Sequence, residues 1–220
     1  MKLHWGPLSP FVRKVMVVAH ETGLADRIEK IRSVVAMTAP NHALMRDNPL
    51  SKIPTLITDD GMVLFDSLVI CEYLDSLHAG PKLFPVDTAG RWQALRWHAL
   101  GNGMLDAGIL WRNERLRPGT TQSREILSAF DGKTRAALDF LDQEAEAISS
   151  ARLTIGHVAI GCALGYLDFR FPELAWRRGR KSITSWFEPF SERPSMRLTQ
   201  PAENPRAQGS DIAADDGGSR

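Results

Sequence analysis

Three short segments hold the residue types that can bind a small polar ligand. Ser9 precedes Pro10 where a strand-like stretch gives way to a helical pattern, so its hydroxyl sits beside helix N–H groups that have no intrahelical partner. Such a junction favours an anion. Asp66-Ser67 forms a second strand-to-helix junction of the same kind, this time with a carboxylate. Between them Ile53-Pro54 leads into an apolar run, with Lys52 beside it. Each segment also has a purely structural use: Ser9 as an N-cap, Pro54 as a proline at the start of a strand, Lys52 as a surface charge, and Asp66 or Ser67 as a cap.

The elements that must position these residues follow from pattern and turn chemistry. Lys2 to Trp5 is a strand candidate, and Phe11, Val15 and Val18, flanked by Val12, Met16 and Ala19, repeat at helical spacing. Ser9-Pro10 starts that helix and Gly23 fits just past its end. Ile28 to Val35 is a second strand candidate, and Asn41 to Asn48 is at best a short helix. Thr55–Thr58 and Met62–Phe65 flank Asp59-Asp60-Gly61, a hairpin signal that makes the two strands antiparallel neighbours. A helix opening at Ser67 places Leu68, Cys71, Tyr73 and Leu74 on one broad face. These alternations make residues 1–78 an α/β unit. Prolines and a glycine mark 79–90 as a linker, and 91–198 reads as helix, with patterns near 91–116, 123–147, 155–171 and 182–192. Residues 199–220 carry few large apolar side chains and are expected to be a flexible tail.

Composition excludes several classes of function. The net charge of +1 supplies no overall field for nucleic acid or an anionic membrane. Cys71 and Cys162 stand among apolar residues, without a C-x-x-C pair or a Cys/His cluster, so buried thiols are expected and no metal site. No signal-peptide stretch opens the chain and no segment nears the roughly 18 apolar residues of a membrane span. No membrane association and a cytoplasmic location are expected.

Taken together, Ser9-Pro10-Phe11-Val12-Arg13-Lys14-Val15, Asn48-Pro49-Leu50-Ser51-Lys52-Ile53-Pro54-Thr55-Leu56 and Phe65 to Leu74 resemble the glutathione transferase family in order and separation. Leu153-Thr154-Ile155-Gly156-His157-Val158-Ala159 resembles the capped helix at the core of that family's helical domain. The resemblance spans roughly residues 1 to 198 and is nearest to bacterial members with serine at the active site. It implies a thioredoxin-like βαβαββα domain followed by an all-helical domain, with glutathione as co-substrate. Ser9 would then donate a hydrogen bond to the glutathione thiolate. At about 1.5 to 3 kcal/mol, that bond lowers the thiol pKa by roughly 1 to 2 units. The resemblance further implies a cis Ile53-Pro54 bond that turns the Ile53 backbone toward the cysteinyl part of glutathione as an added strand. Lys52 would meet the glycyl carboxylate, Ser67 the γ-glutamyl carboxylate, and Asp66 the γ-glutamyl ammonium.

Two positions depart from the family pattern. Asp66 stands where most relatives carry Glu, and His157 where Asp is usual. A neutral histidine is not expected to reproduce a carboxylate's reciprocal cap, so helix initiation there is assigned to Thr154 and the Leu153–Val158 staple. Trp5, Leu8, Met104 and Trp111 are candidates for an apolar co-substrate pocket, with core packing as the alternative. Asp106 is a candidate contact across the interface of an expected homodimer. The reaction expected is conjugation of glutathione to a small electrophile. The alternatives are a glutathione-dependent thiol transferase or reductase, for which relatives place Cys where Ser9 stands, and a non-enzymatic binding or scaffold protein of the same fold.

Overall fold

A computed structural model of the chain describes residues 1–201; from 202 onward the expected tail lies outside the described residues. Strands β1 (Lys2–Trp5), β2 (Glu29–Arg32), β3 (Thr55–Ile57) and β4 (Val63–Leu64) form one sheet in the order β2-β1-β3-β4. The pair β1–β2 is parallel, with Leu3 opposite Lys30, and requires a crossover, supplied by helix α1 (Pro10–Glu21). The pairs β1–β3 and β3–β4 are antiparallel, and Gly61, at φ +87°, makes the turn that the Asp-Asp-Gly sequence predicts. Helix α2 (Ser67–Ser76) follows β4. The segment between β2 and β3 holds only a 3-10 turn at Leu44–Arg46, so the second helix of the expected βαβαββα order shrinks to one turn.

The second half is helical: α3 (Thr88–Arg115), α4 (Arg124–Ser150), α5 (Ile155–Arg170), α6 (Lys181–Ser191) and α7 (Pro194–Leu198). Asp87 caps α3 by accepting from Gly90 N–H at 2.7 Å, which starts the helix before its apolar pattern does. Helices α3 and α5 lie side by side because glycine removes the side chain at their closest approach. A Cβ at Gly101 would stand 2.6 Å from the Ala159 carbonyl carbon. The connection between the halves is pinned by buried Asp75, which accepts from the backbone N–H of Leu83 and Phe84 at 2.8 and 3.0 Å. Helix α1 joins the two cores directly. Glu21 receives Arg193 through two bonds of 2.8 and 2.9 Å, and Arg13 donates to the Met196 carbonyl at 3.2 Å.

The start of α5 corrects the sequence reading of His157. Its Nδ1 accepts from the Thr154 backbone N–H at 3.0 Å, and its Nε2 lies 3.0 Å from the Ile148 carbonyl. A carbonyl only accepts, so Nε2 carries the proton and the neutral ring performs the reciprocal cap after all. Burial holds this imidazole below its ordinary pKa and keeps it in that form.

Candidate functional site

The first strand-to-helix junction presents Ser9. Its backbone is extended (φ −81°, ψ 118°), and its Oγ accepts from Val12 N–H at 3.3 Å, a long N-cap bond. Capping uses only a lone pair. The hydroxyl proton makes no hydrogen bond among the described residues, so one side chain can cap α1 and still donate to a ligand.

The Ser9 turn rests on the second segment. A Cβ at Gly6 would lie 2.8 Å from Ile53 Cδ1, so a side chain there would push the tip of Ile53 aside. The Ile53–Pro54 peptide is cis, as expected. Neither the N–H nor the C=O of Ile53 has a hydrogen-bond partner among the described residues, which leaves a short edge of main chain able to pair with an extended ligand. Buried Asn48 fixes this loop by donating to the Lys52 carbonyl at 3.2 Å and to Thr55 Oγ1 at 2.9 Å, while Thr55 also bonds the Lys52 carbonyl at 2.8 Å. Asn48 lies within the second sequence segment, but no local pattern revealed its organising role. Nearby, His4 is buried rather than a surface or loop residue. Its ring bridges Ser33 and Asp47, each at 2.8 Å, and ties β1 to the same loop.

The third segment divides its two roles between neighbours. Asp66 is the N-cap of α2 and accepts from Leu68 N–H at 3.0 Å through Oδ1. Buried Ser67 follows as the first helical residue, and its hydroxyl makes no hydrogen bond among the described residues. The Phe65–Asp66 peptide is also cis. Lys52, exposed, and Asp66 both lie within electrostatic reach of Asp106 on α3 of the same chain. Partial burial raises the Asp106 carboxyl above its usual value, against the charges of Lys14 and Lys52. Asp106 thus lies within electrostatic reach of Lys52 and Asp66 of its own chain. Lys52 supplies an anion-seeking ammonium, and Asp66 and Asp106 supply cation-seeking carboxylates, charges suited to a zwitterionic ligand.

The proposed apolar pocket is only partly assembled. Met104 and Trp111 are 6% and 8% exposed, and Trp111 stacks on Phe171 with ring centroids 4.5 Å apart. Both side chains belong to the buried core cluster. Leu8 remains exposed beside Ser9, and half-buried Trp5 has the Lys30 ammonium and Arg32 guanidinium 5.7 and 5.9 Å from its ring centre. Among the described residues no group of three or more His, Cys, Asp or Glu side chains is placed to hold a metal ion, and no helix is long and apolar enough to cross a membrane.

A thioredoxin-like sheet joined to a helical domain is the architecture of the glutathione transferase class of proteins. Residues 8–77 match the glutathione S-transferase N-terminal domain and residues 124–188 its C-terminal domain. The chain is 32% identical over 203 residues to the uncharacterized GST-like protein YibF of Escherichia coli, covering 91% of this chain and 98% of that one. Two solved structures of a glutathione transferase family member from Pseudomonas fluorescens Pf-5 are similar throughout. The form with bound glutathione is 43% identical with TM-score 0.88, over 92% of this chain and 99% of that one. The form with bound S-(propanoic acid)-glutathione is 41% identical with TM-score 0.85, over 92% of this chain and 100% of that one. The chain belongs to the glutathione S-transferase family.

Proposed function

We propose that the chain is a cytoplasmic, homodimeric glutathione transferase of the serine type, which lowers the thiol pKa of bound glutathione with Ser9 and adds the thiolate to a small apolar electrophile. The observation that carries this reading is the set of groups at the three segments without a hydrogen-bond partner among the described residues: the Ser9 proton, the Ile53 main chain and the Ser67 hydroxyl. Glutathione offers each a partner. Its thiolate accepts from Ser9, its cysteinyl main chain pairs with Ile53, and its γ-glutamyl carboxylate meets Ser67 and the first N–H groups of α2. Asp66 and Asp106 face the γ-glutamyl ammonium, and Lys52 the glycyl carboxylate. The glutathione bound by the Pseudomonas fluorescens relative supports the ligand, and the propanoic acid conjugate in its second structure supports an electrophile joined at sulfur.

Ser9 acts as a hydrogen-bond donor in this mechanism, neither base nor nucleophile. With the thiolate held beside Leu8, the electrophile meets it in near-attack geometry, and bond formation consumes the thiolate without a covalent enzyme intermediate. Thiol transfer is disfavoured, because serine forms no mixed disulfide and both cysteines are fully buried, with the Cys71 thiol pushed up to about 12 by desolvation. For the dimer, exposed Val69 lines a mostly apolar groove with Leu64, Tyr73 and Glu72, a surface that sedimentation of the purified protein tests. Retention on immobilised glutathione together with turnover of a generic aryl halide tests the enzyme. Retention without turnover favours a binding role, and the absence of both overturns the reading.

A further inference from the structure

Lys14, five residues past Ser9, is fully buried where α1 meets α3. Its ammonium donates to Asn102 Oδ1 at 2.6 Å and to His98 Nε2 at 2.9 Å, and lies 5.7 Å from the Phe11 ring centre. An ammonium has donors only, so His98 Nε2 must offer its lone pair and the ring must be neutral. Burial, with the Lys14 charge beside it, holds that imidazole down to about 3. The same logic orients Asn102. Its oxygen faces Lys14, which turns its amide nitrogen outward, where it donates to Asp106 Oδ2 at 3.3 Å. A buried charge is thus wired through one amide to a carboxylate in the cleft.

We propose that Lys14, acting through Asn102, is a positioning residue that keeps the Asp106 carboxylate aimed at the γ-glutamyl ammonium of glutathione, an inference that rests on the glutathione reading above. A lysine whose only task was to tie α1 to α3 is a poor choice, since burying an ammonium is costly and an apolar side chain of similar volume often holds two helices as well. The groups that face Lys14 are His98, Asn102 and Asp106 from α3, Asp66 and Cys71 from α2 and its cap, and Cys162 from α5. Burial lowers the Lys14 pKa, and Cys71, Cys162, Asp66 and Asp106 oppose that shift; no carboxylate contacts the ammonium directly among the described residues, and its link to Asp106 runs through Asn102. Without that charge, the burial that raises the Asp106 carboxyl would be opposed by Lys52 alone among the lysines.

Calorimetry with glutathione, and with an analogue lacking the γ-glutamyl amino group, tests this in the full chain. Lys14→Met and Asn102→Leu should each weaken glutathione by roughly tenfold, the scale of a charge-assisted hydrogen bond. The analogue should lose less than about twofold, because it has no ammonium for Asp106 to meet. In Lys14→Met the acid limb of glutathione binding should move to higher pH, since Asp106 then protonates more readily, a change that a structural tie would not produce. Lys14→Met combined with Asp106→Asn should bind no worse than Asp106→Asn alone. Parent-like glutathione affinity in both single variants, equal losses for the two ligands, or additive losses in the double variant would each overturn the proposal. If Lys14→Met does not fold, Asn102→Leu decides by the same two-ligand comparison. A parent protein that binds no glutathione overturns the underlying reading as well, and is told apart because it fails before any variant is made.

Discussion

Replacing Ser9 by alanine removes two hydrogen bonds of different worth, and a second variant separates them. The cap to Val12 N–H is long, at 3.3 Å, so its loss belongs in the lower half of the usual range, about 0.5 to 1 kcal/mol of stability. The bond donated to the thiolate is charge-assisted, about 1.5 to 3 kcal/mol, and its loss should raise the bound thiol pKa by roughly 1 to 2 units. Below the parent's bound-thiol pKa that corresponds to a rate roughly 10- to 100-fold lower. Ser9→Gly lacks the same hydroxyl, yet glycine caps within a few tenths of a kcal/mol of serine, so about the same loss of activity should come with less destabilisation. Titrating the ultraviolet absorbance of the thiolate in the complex reads the first quantity, and urea unfolding reads the second. A bound-thiol pKa unchanged in both variants would refute the role of Ser9, whatever happens to stability.

Three further outcomes are expected. Asp66→Asn removes a charge partner of the γ-glutamyl ammonium and should weaken glutathione roughly tenfold in calorimetry while barely affecting the analogue without that amino group; equal losses would make Asp66 a cap alone. His98 and His157 both have folded-state pKa values held below the unfolded value of about 6.5. The unfolded chain therefore takes up protons first as pH falls, so stability is fully present above about pH 6.5 and declines below it, by up to about 1.4 kcal/mol per pH unit for each ring. Urea midpoints at about pH 7.5, 6 and 5 check this slope, and His98→Asn should flatten it. Gly101→Ala would place a Cβ 2.6 Å from the Ala159 carbonyl carbon and 2.7 Å from the Ile160 nitrogen. Backbone cannot yield there as a side-chain tip would, so a loss of about 1 to 3 kcal/mol is expected, read as a lower Tm.

The elements legible in the sequence are those written in local chemistry. Ser9-Pro10 and Gly23 bound α1, and Asp59-Asp60-Gly61 turns the hairpin, whereas the Asp87 cap starts α3 at Thr88, inside the stretch read as linker. What stayed illegible depends on partners that arrive from far along the chain. Lys14 looks like an ordinary charge on an amphipathic helix until α3, 84 residues on, covers it with His98. Met104 and Trp111 have the composition of a pocket wall, and only the closeness of α5, allowed by glycine, makes them core. His157 was read through the acid usual at its position, and the Ile148 carbonyl that fixes its tautomer lies nine residues back in α4. The candidate site residues are picked out by sequence because they stand at strand-to-helix junctions, where ligand-facing groups and cap residues share one small set of types.

The account stands most directly on whether binding at this cleft ionises glutathione. Calorimetry of the unmodified protein in two buffers of different ionisation enthalpy counts the protons released when glutathione binds. A thiol moved from about 8.5 to about 7 should release about 0.7 proton at about pH 7.5, and Ser9→Ala should abolish most of it. Tight binding with no proton released, or no binding at millimolar glutathione, would contradict the account.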